Sequence, residues 1–143
     1  MISSIADASA HPPIDVHWVD GLRFEAGRPD GPQVRIDGDA HNAPSPFDLL
    51  LAAIASCASV DVVTILSKQR TPVQSLSVRV EALRVDSVPR HLASAILHFH
   101  INAPGATVEK TQRAVELSVT KYCSVRSSLD AAAPITWTID LTG

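Results

Sequence analysis

Cys57 and Cys123 are the only cysteines in this chain of 143 residues. A thiolate that attacks a peroxide becomes a sulfenic acid, and a second thiol close by condenses with it to a disulfide that guards against further oxidation. Each cysteine sits within or at the end of a stretch that reads as helix, among apolar neighbours. Cys123 follows Cys57 by 66 positions. If the two helices share one core the sulfurs can meet, whereas Cα atoms more than about 7 Å apart could not be bridged without movement. The competing reading is packing, because buried cysteine is a common core residue and behaves as a small hydrophobe.

Reactivity needs a thiolate. Cys57 lies about eleven residues into its predicted helix, beyond the first turn where the macrodipole acts. Asp61, at i+4 on the same face, would oppose ionisation as a carboxylate. A cation must then reach the sulfur, and Arg23, Arg28, His41 and Arg126 are the candidates. Neither thiol belongs to a Cys-x-x-Cys motif of the exchange type. No Gly-x-Ser-x-Gly turn exists to expose a serine nucleophile. His98 and His100, two apart on a predicted strand, share a face and could give two metal ligands. No third ligand stands at a recognisable spacing, and His11, His17 and His91 show no pattern, so neither metal nor other cofactor is expected.

The elements that must position these residues are legible from periodicity and turn chemistry. Ile14, Val16 and Trp18 alternate onto one face, the Asp20-Gly21 turn follows, then Leu22 and Phe24, which predicts a hairpin; a third short strand covers 33–36. Ser45, Pro46 and Asp48 form the clearest helix start, with a capping serine, a proline at the first helical position and an acid three residues on. The helix should run from Pro46 to about Lys68, ending before Pro72. Leu49 to Leu66 leaves almost no polar face, so this helix is either buried on every side or membrane-spanning. Asp61, Ser56 and Ser59 in its interior count against the membrane. A helix so apolar needs more cover than one small domain supplies, which implies a partner subunit.

Beyond it, Leu76, Val78, Val80 and Ala82, then Ala95, Leu97, Phe99 and Ile101, alternate with polar or outward residues and predict two long half-buried strands joined across Pro89. Thr107 opens a second helix, with Val108, Thr111, Val115, Val119 and Tyr122 at helical spacing, ending near Cys123. A helical turn over 125–129 and a last strand through Ile135, Trp137, Ile139 and Leu141 complete an α+β chain.

Composition narrows the function classes. A single domain of this length buries about 70% of its unfolded surface and needs no disulfide framework. Net charge is −3 with no basic run, so no electrostatic footprint for nucleic acid exists. Met1–Ala10 lacks the basic and apolar regions of a secretory or transit peptide, and a cytoplasmic setting, where transient catalytic disulfides are the usual kind, is expected.

The run 45–63, Ser-Pro-Phe-Asp-Leu-Leu-Leu-Ala-Ala-Ile-Ala-Ser-Cys-Ala-Ser-Val-Asp-Val-Val, and Lys121-Tyr122-Cys123-Ser124-Val125 far downstream resemble the OsmC/Ohr family of osmotically inducible and organic hydroperoxide resistance proteins. The YhfA-like branch is most similar, with Ser-Pro at the helix start, an Asp four residues past the first cysteine and Lys-Tyr-Cys-Ser-Val at the second. The likeness spans about Ile14 to Leu141. It implies an intertwined homodimer, with antiparallel sheets wrapped around central helices and sites at the subunit interface. It implies reduction of organic hydroperoxides, with Cys57 as the peroxidatic and Cys123 as the resolving cysteine, an external lipoyl-type dithiol as reductant, and Phe47, Asp61 and Tyr122 at the substrate pocket. An aliphatic lining would favour fatty or aromatic hydroperoxides, at about 0.8 kcal/mol per buried methylene.

Two positions depart from that family. Its peroxidases carry a Glu after the helix-start proline to hold an active-site Arg, and this chain has Phe47 there. Asp48 lies nine residues from Cys57, on the opposite face of an ideal helix, and suits a cap. The family's Arg sits in a Gly-Gly-Arg-Asp-Gly turn, for which Gly27-Arg28-Pro29-Asp30-Gly31 is the nearest counterpart, with Arg23 competing. The alternative function is non-enzymatic: a dimeric module that binds a small apolar ligand at its interface, the cysteines serving as packing or as a redox sensor.

Overall fold

The computed structural model describes residues 5–143; the leader reading of Met1–Ala10 falls in part on residues 1–4, outside the described residues. Two compact units divide the chain, Met1–Leu49 and Leu50–Gly143.

The first unit holds β1 (Asp15–Asp20), β2 (Arg23–Gly27) and β3 (Val34–Asp37), paired antiparallel in the order β1-β2-β3. The predicted hairpin forms. Gly21 takes a left-handed φ of 49°, which a Cβ would penalise, and the Trp18 indole N–H donates to its carbonyl at 2.9 Å. Register shifts between Trp18 and Asp20, a bulge on the strand just before the turn. Ile14, Val16 and Trp18 share a face as predicted, yet all three are exposed, at 53%, 61% and 67%. After β3, the buried Asp37 carboxylate accepts the backbone N–H of Asp39 at 3.0 Å and of Asn42 at 3.1 Å, folding the loop that leads to the long helix. Those donors, Asn42 foremost, hold its carboxyl below the ordinary range.

The helix α1 (Pro46–Lys68) starts as the sequence predicts. Ser45 Oγ accepts the Asp48 N–H at 3.1 Å while Asp48 Oδ2 accepts the Ser45 N–H at 2.9 Å, a reciprocal box in which aspartate replaces the longer acid. Its far end closes where Arg70 turns left-handed, φ 62°, and Thr71 N–H reaches back to Leu66 O. Length and composition would let α1 cross a membrane, but the buried stripe Ile54, Ala55, Ala58, Val62 and Leu66 makes it a core helix of the second unit. The prediction of burial on every side fails for the chain taken singly, because Ala52, Ser56, Val60, Val63 and Ser67 form an exposed stripe of small and apolar side chains. Its interior hydroxyls cost little, since Ser59 donates to Ala55 O and Thr64 to Val60 O, one turn back.

The second sheet holds β4 (Ser75–Arg84), β5 (Leu92–Asn102) and β6 (Ile135–Thr142) in the order β4-β5-β6. The alternation is as predicted: Ala95, Leu97, Phe99 and Ile101 are buried at 2% exposure or less. The expectation of antiparallel sheets needs correction here. β4 and β5 pair antiparallel, but β5 and β6 pair parallel, from Ala95 with Ile135 to Asn102 with Thr142. The helical crossover between them allows this, returning the chain to the end at which β5 begins.

That crossover starts with α2 (Val108–Leu117), capped by Thr107 Oγ1 on the Lys110 N–H at 3.2 Å. A single helix to Cys123 was expected. Instead α2 opens into a π turn, Ser118–Tyr122, followed by the short α3 (Ser124–Ser127), which starts one residue earlier and ends two earlier than predicted. Ser118 Oγ donates to Ala114 O at 2.7 Å and Thr120 Oγ1 to Glu116 O at 2.6 Å, hydroxyl back-bonds that favour bending at this point. The wider turn rotates Tyr122 to 50% exposure and keeps Cys123 at 3%. Val108 is also exposed, and the buried face is Thr111, Ala114, Val115, Ser118 and Val119.

Candidate active site

The two sulfurs meet inside the second unit. Cys57 is half-buried on α1, Cys123 is buried at the end of the π turn, both are free thiols, and each bears on the acidity of the other. Cys123 is held tightly: its N–H bonds Ser118 O at 2.9 Å, closing the π turn, its Sγ accepts the Arg126 N–H at 3.3 Å, and its S–H reaches Ile54 O on α1 at 3.9 Å. Ser124 follows, its Oγ lying 3.8 Å from Cys57 Sγ.

The electrostatics separate the pair. Burial is the largest influence on Cys57 and pushes its thiol up, but the Val125 N–H, then the Cys123 thiol, the Ser124 hydroxyl and the Ser124 N–H outweigh it, leaving Cys57 below its ordinary value. For Cys123 burial again leads, and with the adjacent Cys57 sulfur it overcomes the Arg126 N–H, so this thiol is pushed up. In the single chain the Cys57 thiol is lowered with no cation among its leading influences. Hydrogen-bond donors from residues 123–125 lower the thiol, none of these leading influences is a guanidinium, and Asp61 at i+4 is not among them.

Two of the candidate cations have partners of their own, Arg126 and Arg23. Arg126 donates through its guanidinium to the carbonyls of Asp130 at 3.2 Å and Ala133 at 2.9 Å, tying the loop that leads into β6. Arg23 pairs with Asp20 across the hairpin, which raises its pKa through that hydrogen bond. Arg28 opens a turn whose carbonyl takes the Gly31 N–H at 3.0 Å and the Gln33 amide at 3.2 Å. His41 lies in the loop folded on Asp37. Arg23, Arg28 and His41 belong to the first unit and both thiols to the second. Of the expected pocket residues, Phe47 is half-buried in the first turn of α1, Asp61 half-buried one turn past Cys57, and Tyr122 exposed with Lys121 Nζ 5.5 Å from its ring centre. A hollow of about 330 Å³ adjoins Cys123, lined by Val119, Lys121, Arg126, Leu129 and Ile135 among others.

A larger hollow of about 690 Å³ contains neither cysteine and lies over the outward face of the second sheet, beside Arg79, Glu81, His98, His100 and Thr138. His98 Nδ1 is 2.7 Å from Thr138 Oγ1 and Nε2 3.3 Å from Glu81 Oε2; His100 Nδ1 is 3.3 Å from Asp140 Oδ2. Among the described residues no three His, Cys, Asp or Glu side chains are grouped to hold a metal.

The site residues that reasoning from sequence overlooked are Ser124 and Val125. Ser124 had a signal, a serine between a cysteine and a predicted helical turn, but its value as a donor to a sulfur 67 residues earlier depends on tertiary packing.

Fold and site together define an α+β protein with a juxtaposed, unequally polarised thiol pair on neighbouring helical segments. The OsmC-like protein family model matches residues 37–138, and the chain belongs to that family. It is 38% identical over 122 residues to protein YhfA of Escherichia coli K12, covering 85% of this chain and 91% of that protein. Among solved structures it is similar to an OsmC-like protein of Mycoplasma pneumoniae, with a TM-score of 0.80 at 17% identity over 95% of this chain and all of the other. It also resembles a Legionella pneumophila protein described as an organic hydroperoxide resistance protein OsmC, with a TM-score of 0.66 at 15% identity, covering 94% and 99% of the two chains. At those identities the likeness to the two structures is one of fold.

Proposed function

We propose that this protein reduces organic hydroperoxides through Cys57 and Cys123, as a homodimer. The observation that carries the reading is the placement of the pair: half-buried Cys57 on α1 has Ser124 Oγ 3.8 Å from its sulfur, and buried Cys123, next to Ser124, reaches Ile54 O on α1, with the first thiol pushed down and the second up, the order a nucleophile and a resolving thiol require. The name of the Legionella relative supports the substrate class. Cys57 thiolate attacks the terminal peroxide oxygen, the O–O bond breaks, and the alkoxide takes a proton and leaves as an alcohol while Cys57 becomes a sulfenic acid. Cys123 sulfur then attacks Cys57 sulfur, water departs, and a Cys57–Cys123 disulfide forms. An external dithiol of the lipoyl type returns both thiols. Arg28 or Arg23 supplies a positive charge toward the peroxide, and the stripe on α1 through Val60 and Val63 meets the partner subunit.

One equivalent of cumene hydroperoxide tests the chemistry. Intact mass should fall by two hydrogens, with the Cys57 and Cys123 peptides crosslinked. Cys57→Ser should abolish peroxide consumption, and Cys123→Ser should allow one round and accumulate sulfenic acid on Cys57. Undiminished turnover by Cys57→Ser would overturn the reading.

A further inference from the structure

We infer that Ser124 is a catalytic residue of this site, its hydroxyl donating a hydrogen bond to the Cys57 thiolate. The inference rests on the peroxidase reading for its consequence but on geometry for its substance. In the neutral pair either atom can donate across the 3.8 Å between Ser124 Oγ and Cys57 Sγ. Once Cys57 ionises its sulfur has no hydrogen left, so the hydroxyl must be the donor. The contact then joins a neutral donor to an anion and strengthens, which makes it an interaction that favours the reactive form over the resting one.

Ser124 is anchored from both sides. Ser128 binds its carbonyl twice, through N–H at 3.1 Å and Oγ at 2.8 Å, and Cys123 before it is pinned by the bond to Ser118 O. A backbone held in this way keeps the hydroxyl beside the Cys57 sulfur when the charge appears. Since the donor set at Cys57 contains no guanidinium among its leading members, removing one hydroxyl should be felt in the thiol itself. A lower thiol pKa also weakens each thiolate as a nucleophile, with a Brønsted slope of about 0.4–0.5. At a pH below the pKa the gain in thiolate fraction exceeds that loss, and the net benefit is about threefold in rate for each unit by which the thiol pKa falls.

The test follows the pH dependence of iodoacetamide alkylation at Cys57, assigned by peptide mass, in the full chain and in Ser124→Ala and Ser124→Thr. Ser124→Ala should move the midpoint to higher pH and slow alkylation at pH 7, while Ser124→Thr, which keeps the hydroxyl, should restore the parent profile. A merely structural serine would not be rescued in this pattern. Thermal unfolding of each variant separates a lost donor from a damaged fold. An unmoved Ser124→Ala profile would overturn the inference, whatever happens to peroxide turnover. Conversely, a shifted profile in a protein that consumes no hydroperoxide would sink the peroxidase reading and leave the hydrogen bond standing.

Discussion

The two sheets solve the same problem unequally. In the second, β5 runs through the core with Leu97, Phe99 and Ile101 at 1% exposure or less, and α2 packs beside β6. In the first, β1 to β3 alternate just as cleanly, but only Ala26 and Asp37 are buried on their strands, and Val16, Trp18, Val19 and Leu22 stand open. Alternation states that a strand has an apolar face; it does not state whose surface covers that face. The second sheet finds its cover within its own unit. The first leaves its apolar face open in the single chain, a face that the proposed dimer would have to cover.

Three changes would break or sharpen that contrast. The largest effect is expected from Phe99→Ala, which empties a fully buried site in the second unit and should lower stability by about 3–5 kcal/mol in denaturant titration. A loss under 1 kcal/mol would mean that this core is not the one holding the fold. Val16→Glu comes next. On an isolated chain an exposed substitution changes stability by about 0.5 kcal/mol or less, whereas beneath a second copy it buries a charge, so light scattering should show dimers giving way to monomers. Persistence of the dimer at unchanged affinity would remove the first sheet from the interface.

Asp37→Ala is the most local change, confined to the loop between the first sheet and α1. The folded carboxyl lies below its ordinary 3.8 because backbone N–H groups stabilise the anion. Its contribution is therefore fully present above that value and is lost as pH falls through the lower, folded one. The melting-temperature difference between parent and variant should be constant near neutrality and shrink on acidification below pH 3.8. A difference that grows there would contradict the assigned sign.

Helix starts were legible to the residue at Ser45 and Thr107, because a cap is a bond between groups three positions apart. The inward rows of β4 to β6, half-buried on β4 and buried on β5, were equally plain, since a strand's period belongs to the chain itself. The π turn was not, for it lies within a run of ordinary helical spacing and is marked only by the hydroxyls of Ser118 and Thr120, which also occur in straight helices. Nor was the parallel pairing of β6, which depends on the end of the sheet at which the crossover delivers the chain.

By itself the sequence determined the pair of thiols, the elements that carry them and the apolar rows those elements bury, all properties of residues a few positions apart. Tertiary structure alone decided that Cys57 meets Cys123, that Ser124 and Val125 lower the Cys57 thiol where a cation had been expected, and which stripe of α1 stays open. A thiol's acidity is set by the groups within a few ångströms of its sulfur, and for Cys57 most of those arrive from a segment more than sixty residues away.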